Sequence, residues 1–315
     1  MRLPTPGPAR PLSRRHGLFL LMAAASAPAV LTRAQTAPDA AIPPPDARLL
    51  DNLLTRIGVE IEIGADRPVF VIDTGAERTS VSDSLASRLH LVAGPDVIVH
   101  GITSAQRTPT VVLPRLEVLR RPFTNLAPPV FQHSLLGADG FLGLDVLSQF
   151  RLGLDFQRRR ATLAPSGQTR FFSGVGTATA RRIGPGRGGA RSARGGQLLL
   201  SSVRVGDAVI DAFIDSGAQY SVGNLRLADL AGPVATEVQL FGVVGQSLTA
   251  QQRTLPDLKI ARRSFGPTPL LFADLHAFGV LGLSERPALL LGADLLTRFR
   301  RITLDYGVGR VAFDG

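Results

Sequence analysis

Two acidic residues stand where acids are disfavoured. In "VFVIDTGAERTSVS", residues 69–82, an unbroken apolar run from Val69 to Ile72 ends on Asp73, and the small-residue turn Thr74-Gly75-Ala76 follows at once. In "AFIDSGAQYSVG", residues 212–223, the same pattern returns as Asp215-Ser216-Gly217-Ala218. A charge delivered by a buried strand is costly unless it is hydrogen-bonded or paired, so the placement implies a structural clamp or chemistry. For a carboxyl, that chemistry is proton transfer, as general acid or general base.

The elements that must position these residues recur with them. Gly101 lies 28 residues after Asp73 and Gly242 lies 27 after Asp215, while Pro114 and Pro256 each lie 41 after their Asp. Arg121-Pro122-Phe123 has its counterpart in Arg263-Ser264-Phe265, and "FLGLDVLSQFRLGLDF" (141–156) aligns with "LLGADLLTRFRRITLDY" (290–306). Matches in one order at matching intervals imply a duplicated domain. The spacing predicts lobes over 48–164 and 198–315, joined by a Gly- and Arg-rich linker, 165–197, too poor in apolar residues to fold by itself. Alternating apolar residues in "RIGVEIEIGADRPVFVID" and "LLLSSVRVGDAVIDAFID" predict a hairpin feeding each Asp strand. Short helices are expected over 82–89 and 224–230, and a second in each lobe at Asp145 and Asp294, which read as N-caps.

With these residues in view, each copy resembles a lobe of the retropepsin-like aspartic proteases. The resemblance rests on the apolar strand ending in Asp-Thr/Ser-Gly-Ala, the glycine-bearing hairpins at Gly101 and at Gly242 and Gly245, and the late pairs Leu142-Gly143 and Leu291-Gly292. It implies a mainly β fold of two pseudo-two-fold-related β-barrel lobes, each with one or two short helices. It also implies that Asp73 and Asp215 face each other around one water as the catalytic pair. Thr74 and Ser216 would then bond across the lobe interface, Gly75 and Gly217 would turn tightly beside the carboxyls, and Ala76 and Ala218 would stay small for the same reason. Gly101 and Ile102, with Gly242 and Val243, would sit in flaps that close over an extended peptide. The sequence departs from the retroviral pattern after the late Gly, where Leu144 and Ala293 replace the usual Arg and are followed by Asp, as in bacterial relatives.

Composition bounds the remaining options. The net charge of +10 comes from residues 1–34, with five Arg and no acid, and 165–197, with six Arg and no acid. The rest carries 24 basic and 25 acidic residues, so no basic face for nucleic acid is expected. Residues 1–34 have the layout of a secretory signal, with Ser13-Arg14-Arg15 resembling a twin-arginine motif, and 35–47 read as a flexible spacer. Periplasmic or secreted location is therefore expected, with no stable membrane span after signal removal. There is no Cys for disulfides or a structural zinc site, the five His show no metal-ligand spacing, and no Gly-x-Ser-x-Gly elbow is present. No metal and no cofactor is called for. The expected partner is a peptide or protein substrate, met by a monomer acting as an intramolecular pseudo-dimer. The reading is an exported aspartic endopeptidase; its alternative is a non-catalytic peptide-binding module on the same fold.

Overall fold

The computed structural model describes residues 22–23, 58–118, 121–158, 160–166, 176–183 and 197–315. The expected spacer 35–47 lies outside these residues, as does nearly all of the expected signal. Among the described residues the chain is mostly strand with six short helices, a mainly β fold.

In the first half, strand Gly58–Glu60 pairs antiparallel with Val69–Ile72, and Gly64 turns the hairpin at φ 61°. Strand Val69–Ile72 then lies parallel to Gly140–Leu142, with Ile72 opposite Leu142, and Ser80–Ser82 flanks that late strand antiparallel on its other side. The loop carrying Asp73 therefore spans an inserted strand and is gripped from both arms. The second half repeats the arrangement: Ala208–Ile214 lies parallel to Ala288–Leu291, with Ile214 opposite Leu291, and Val222–Gly223 pairs antiparallel beyond it. Each half also raises a long hairpin, Val92–His100 with Ala105–Val118 and Thr236–Phe241 with Ser247–Ile260. The two described residues of the expected signal, Met22–Ala23, pair antiparallel with Phe241 and Leu240.

Two of the expected short helices form, each behind a side-chain cap. Ser82 Oγ accepts from Leu85 N at 3.1 Å ahead of Asp83–Arg88, and Asn224 Oδ1 accepts from Leu227 N at 2.9 Å ahead of Leu225–Ala228. The expectation for Asp145 and Asp294 is corrected. Helices Leu144–Leu147 and Ala293–Leu296 begin after Gly143 and Gly292, and the two Asp lie inside the first turn with work elsewhere. Helices His133–Leu136 and His276–Val280 were not expected, so among the described residues each half carries three short helices and not one or two.

The halves are joined by a continuous sheet. Strand Phe150–Asp155 pairs antiparallel with Arg160–Pro165 on one side and with Arg301–Asp305 of the second half on the other. Leu152 stands opposite Leu304, both fully buried in a core that runs across the seam. A further correction concerns the expected linker. Residues Gly176–Ile183 form a strand, pairing with Arg310–Asp314 through 176–179 and with Gln197–Val205 through 180–183. The segment has too little apolar surface to fold alone, but sheet pairing satisfies backbone groups whatever the side chains, and strands already folded supply both neighbours.

Truncating Leu304 to Ala at the seam is expected to cost about 2–5 kcal/mol of stability. Denaturant unfolding should show one transition with a lowered midpoint.

Candidate active site

The structure brings Asp73 and Asp215 together. Asp73 accepts through Oδ1 from Gly75 N at 2.8 Å and Ala76 N at 3.1 Å; Asp215 Oδ1 accepts from Gly217 N and Ala218 N, both at 3.0 Å. Their carboxyls are 2% and 5% exposed and lie in contact with each other. Burial first, and the neighbouring Asp73 carboxylate second, push the Asp215 carboxyl well above the usual carboxylate range, while the Gly217 and Ala218 amides pull it back.

Each loop is shaped to admit the opposite acid. A Cβ on Gly217 would stand 2.6 Å from Cγ of Asp73, and one on Gly75 would overlap the Asp215 carboxyl, so only glycine fits. The hydroxyls cross between halves. Thr74 Oγ1 donates to Ile214 O at 2.9 Å and accepts from Ser216 N at 3.0 Å; Ser216 Oγ donates to Ile72 O at 3.0 Å and accepts from Thr74 N at 3.1 Å. Four bonds thus fix the separation of the two carboxyls.

Behind each loop lies a second clamp that sequence reasoning missed. Asp145 Oδ1 accepts from Thr79 N at 2.8 Å and Thr79 Oγ1 at 2.7 Å, and Thr79 Oγ1 in turn accepts from Gly143 N at 3.2 Å. In the second half Asp294 does the same with Ser221 N at 2.8 Å and Ser221 Oγ at 2.6 Å, with Gly292 N on Ser221 Oγ at 2.9 Å. Burial raises both Asp carboxyls, and the hydrogen bonds oppose it. The available signal was a hydroxyl six residues after each Asp, Thr79 and Ser221.

The hairpin tips meet over the loops. Ile102 is 4% exposed and packs among Leu275, Phe278 and Tyr220 of the second half, while Val243 and Val244 rest against Phe131 and Phe141 of the first. Gln246 Nε2 donates to Ser104 Oγ at 2.5 Å between the tips, and Gly242 is buried next to Ile102. Gly101, Ile102 and Val243, together with Asp73, Asp215 and Glu77, line a cavity of about 230 Å³ beneath. His100, at the end of the first hairpin's rising strand, is exposed but paired. Its Nδ1 lies 2.8 Å from His276 Nε2 with the rings stacked 5.0 Å apart, so one nitrogen carries the proton and the other accepts it. Among the described residues no group of three or more His, Cys, Asp or Glu could hold a metal ion, and no helix is long and apolar enough to cross a membrane.

Residues 59–149 match the family model described as gag-polyprotein putative aspartyl protease. This half is similar to the retropepsin-like aspartyl proteases. The match covers the Asp73 motif and supports a protease-like, hydrolytic function. No match was found among curated proteins.

Two outcomes are expected. Thr74→Val leaves Ser216 N without its acceptor and should cost about 1–3 kcal/mol in chemical denaturation. His276 is held below the ordinary His value by burial and by His100, so its proton-free form is favoured in the closed contact. The contact should therefore be fully populated above the ordinary His pKa and weaken as pH falls through it; NMR titration should show His276 titrating low, and moving back up in His100→Ala.

Proposed function

We propose that the chain is an exported, single-chain aspartic endopeptidase in which two halves, related as an internal repeat, each supply one catalytic carboxyl. The observation that supports it is the contact of two buried carboxyls, each oriented by two backbone amides at the floor of a cavity closed by two hairpins. Two carboxyls so close do not both ionise cheaply, so the pair holds one proton and titrates as a unit. Whichever of Asp73 and Asp215 is ionised takes a proton from the attacking water, and the protonated partner donates to the peptide carbonyl oxygen as the tetrahedral centre forms. As the C–N bond breaks, the acid that took the water's proton gives it to the leaving amine and the other takes one back from a hydroxyl of the tetrahedral centre, so the pair again holds one proton. Thr74 and Ser216 hold the geometry, and the hairpins carrying Gly101, Ile102, Gly242 and Val243 supply backbone to an extended substrate in strand fashion. The signal reading of residues 1–34 places this activity in the periplasm or medium.

The test is cleavage of a peptide library from about pH 3 to 7 by the parent, Asp73→Asn and Asp215→Asn. Parent cleavage should fall as pH rises and the shared proton is lost, and both variants should be inactive. Turnover persisting in both would sink the mechanism; peptide binding without turnover by the parent would leave a peptide-binding module. Stability gives an independent reading. A carboxyl whose folded pKa is raised supports the fold fully below its unfolded value and loses that support as pH rises through the folded one. Asp215→Asn, which cannot ionise, should therefore melt higher than the parent at pH 7.

A further inference from the structure

The cavity treats its two sides differently. From the first half it takes Gly75, Ala76, Glu77 and Arg78 in succession, so the space continues along the loop beyond Asp73. From the second loop beyond Asp215 it takes Gly217 and no more. The residues matching the open stretch are covered: Ala218 and Gln219 are 1% exposed and Tyr220 8%, whereas Glu77 and Arg78 are exposed.

The connections at the two ends differ in length. Val130 and Phe272 occupy matching places, each paired parallel with the residue eight after its Asp, Val81 and Gly223. From there the chain runs from 130 to 142 in the first half and from 272 to 291 in the second before reaching the late strand's last residue, so the second connection is longer by seven residues. Most of the extra length follows helix His276–Val280, which starts four residues after Phe272, much as His133–Leu136 starts three after Val130. Leu275, Ala277 and Leu281 line the cavity at that end, and Leu275 and Phe278 pack with Ala218, Tyr220 and Ile102. The corresponding helix His133–Leu136 contributes no lining residue. Bonding holds the stop in place, since His276 N donates to Ile102 O at 2.7 Å beside the His100–His276 contact.

We propose that the cleft is one-ended: a bound peptide continues over Glu77 and Arg78 but is stopped at the 275–281 segment, so bonds near one terminus of a chain are the ones presented to Asp73 and Asp215. This rests on the peptidase reading above and narrows its substrate class. The closed end takes an apolar side chain against Leu275, Ala277 and Leu281. The open end offers a carboxylate and a guanidinium side by side, which suits polar or charged side chains.

Two ladders of peptides test it, built around a non-hydrolysable hydroxyethylene unit and lengthened residue by residue on one side or the other. Affinity is read by calorimetry, with cleavage of the matching hydrolysable peptides measured in parallel. One ladder should gain affinity as it lengthens, by about tenfold, the worth of ~1.4 kcal/mol, and the other should gain nothing. Gains on both sides, on neither, or no binding at all would overturn the one-ended cleft. In Leu281→Ala/His276→Ala the unresponsive ladder should begin to respond; continued indifference would count against the 275–281 segment as the stop. Cleavage with two-sided gains leaves the peptidase standing without this inference. One-sided binding without cleavage does the reverse.

Discussion

Everything in this molecule turns on holding two buried acids against each other. Left to themselves, the carboxyls of Asp73 and Asp215 would separate or reach water, because desolvation and mutual repulsion both oppose the ionised pair. The crossed bonds of Thr74 and Ser216 prevent that by tying each loop to the strand that ends just before the other's Asp. The backbone amides of Gly75, Ala76, Gly217 and Ala218 then supply the hydrogen bonds that water would have given. Strand insertion, the Asp145–Thr79 and Asp294–Ser221 clamps and the seam sheet are successive layers of support for that one contact.

The strain of the arrangement is distributed asymmetrically. Around Asp73 the loop opens to the cavity through Glu77 and Arg78, and around Asp215 it is sealed by Tyr220, Ile102 and the 275–281 segment. Burial and the neighbouring Asp73 carboxylate push the Asp215 carboxyl up.

Much of this was legible in the sequence because it depends on residue identity at fixed spacing. Asp at the end of an apolar strand, Gly two positions on, and Leu-Gly late in each half are local requirements, and the structure places all of them at one site. The helical stretches beginning at Ser82 and Asn224 were readable for the same reason, though their caps were not. What escaped depends on partners distant in the chain. Asp145 and Asp294 look like caps until Thr79 and Ser221, more than 60 positions away, are seen to claim them. His100 acquires a partner 176 residues on, which no local pattern announces. The strand Gly176–Ile183 has no apolar periodicity of its own and exists because its neighbours are already strands.

That strand has a consequence for how the site comes into being. Because the connection between the halves is itself woven between Arg310–Asp314 and Gln197–Val205, the meeting of the two acids is an event within one chain. Its rate is a folding rate and carries no dependence on concentration, unlike a site assembled from two separate chains. Each half is also free to change without having to remain compatible with a copy of itself. The unequal ends of the cleft are the kind of difference that such freedom permits.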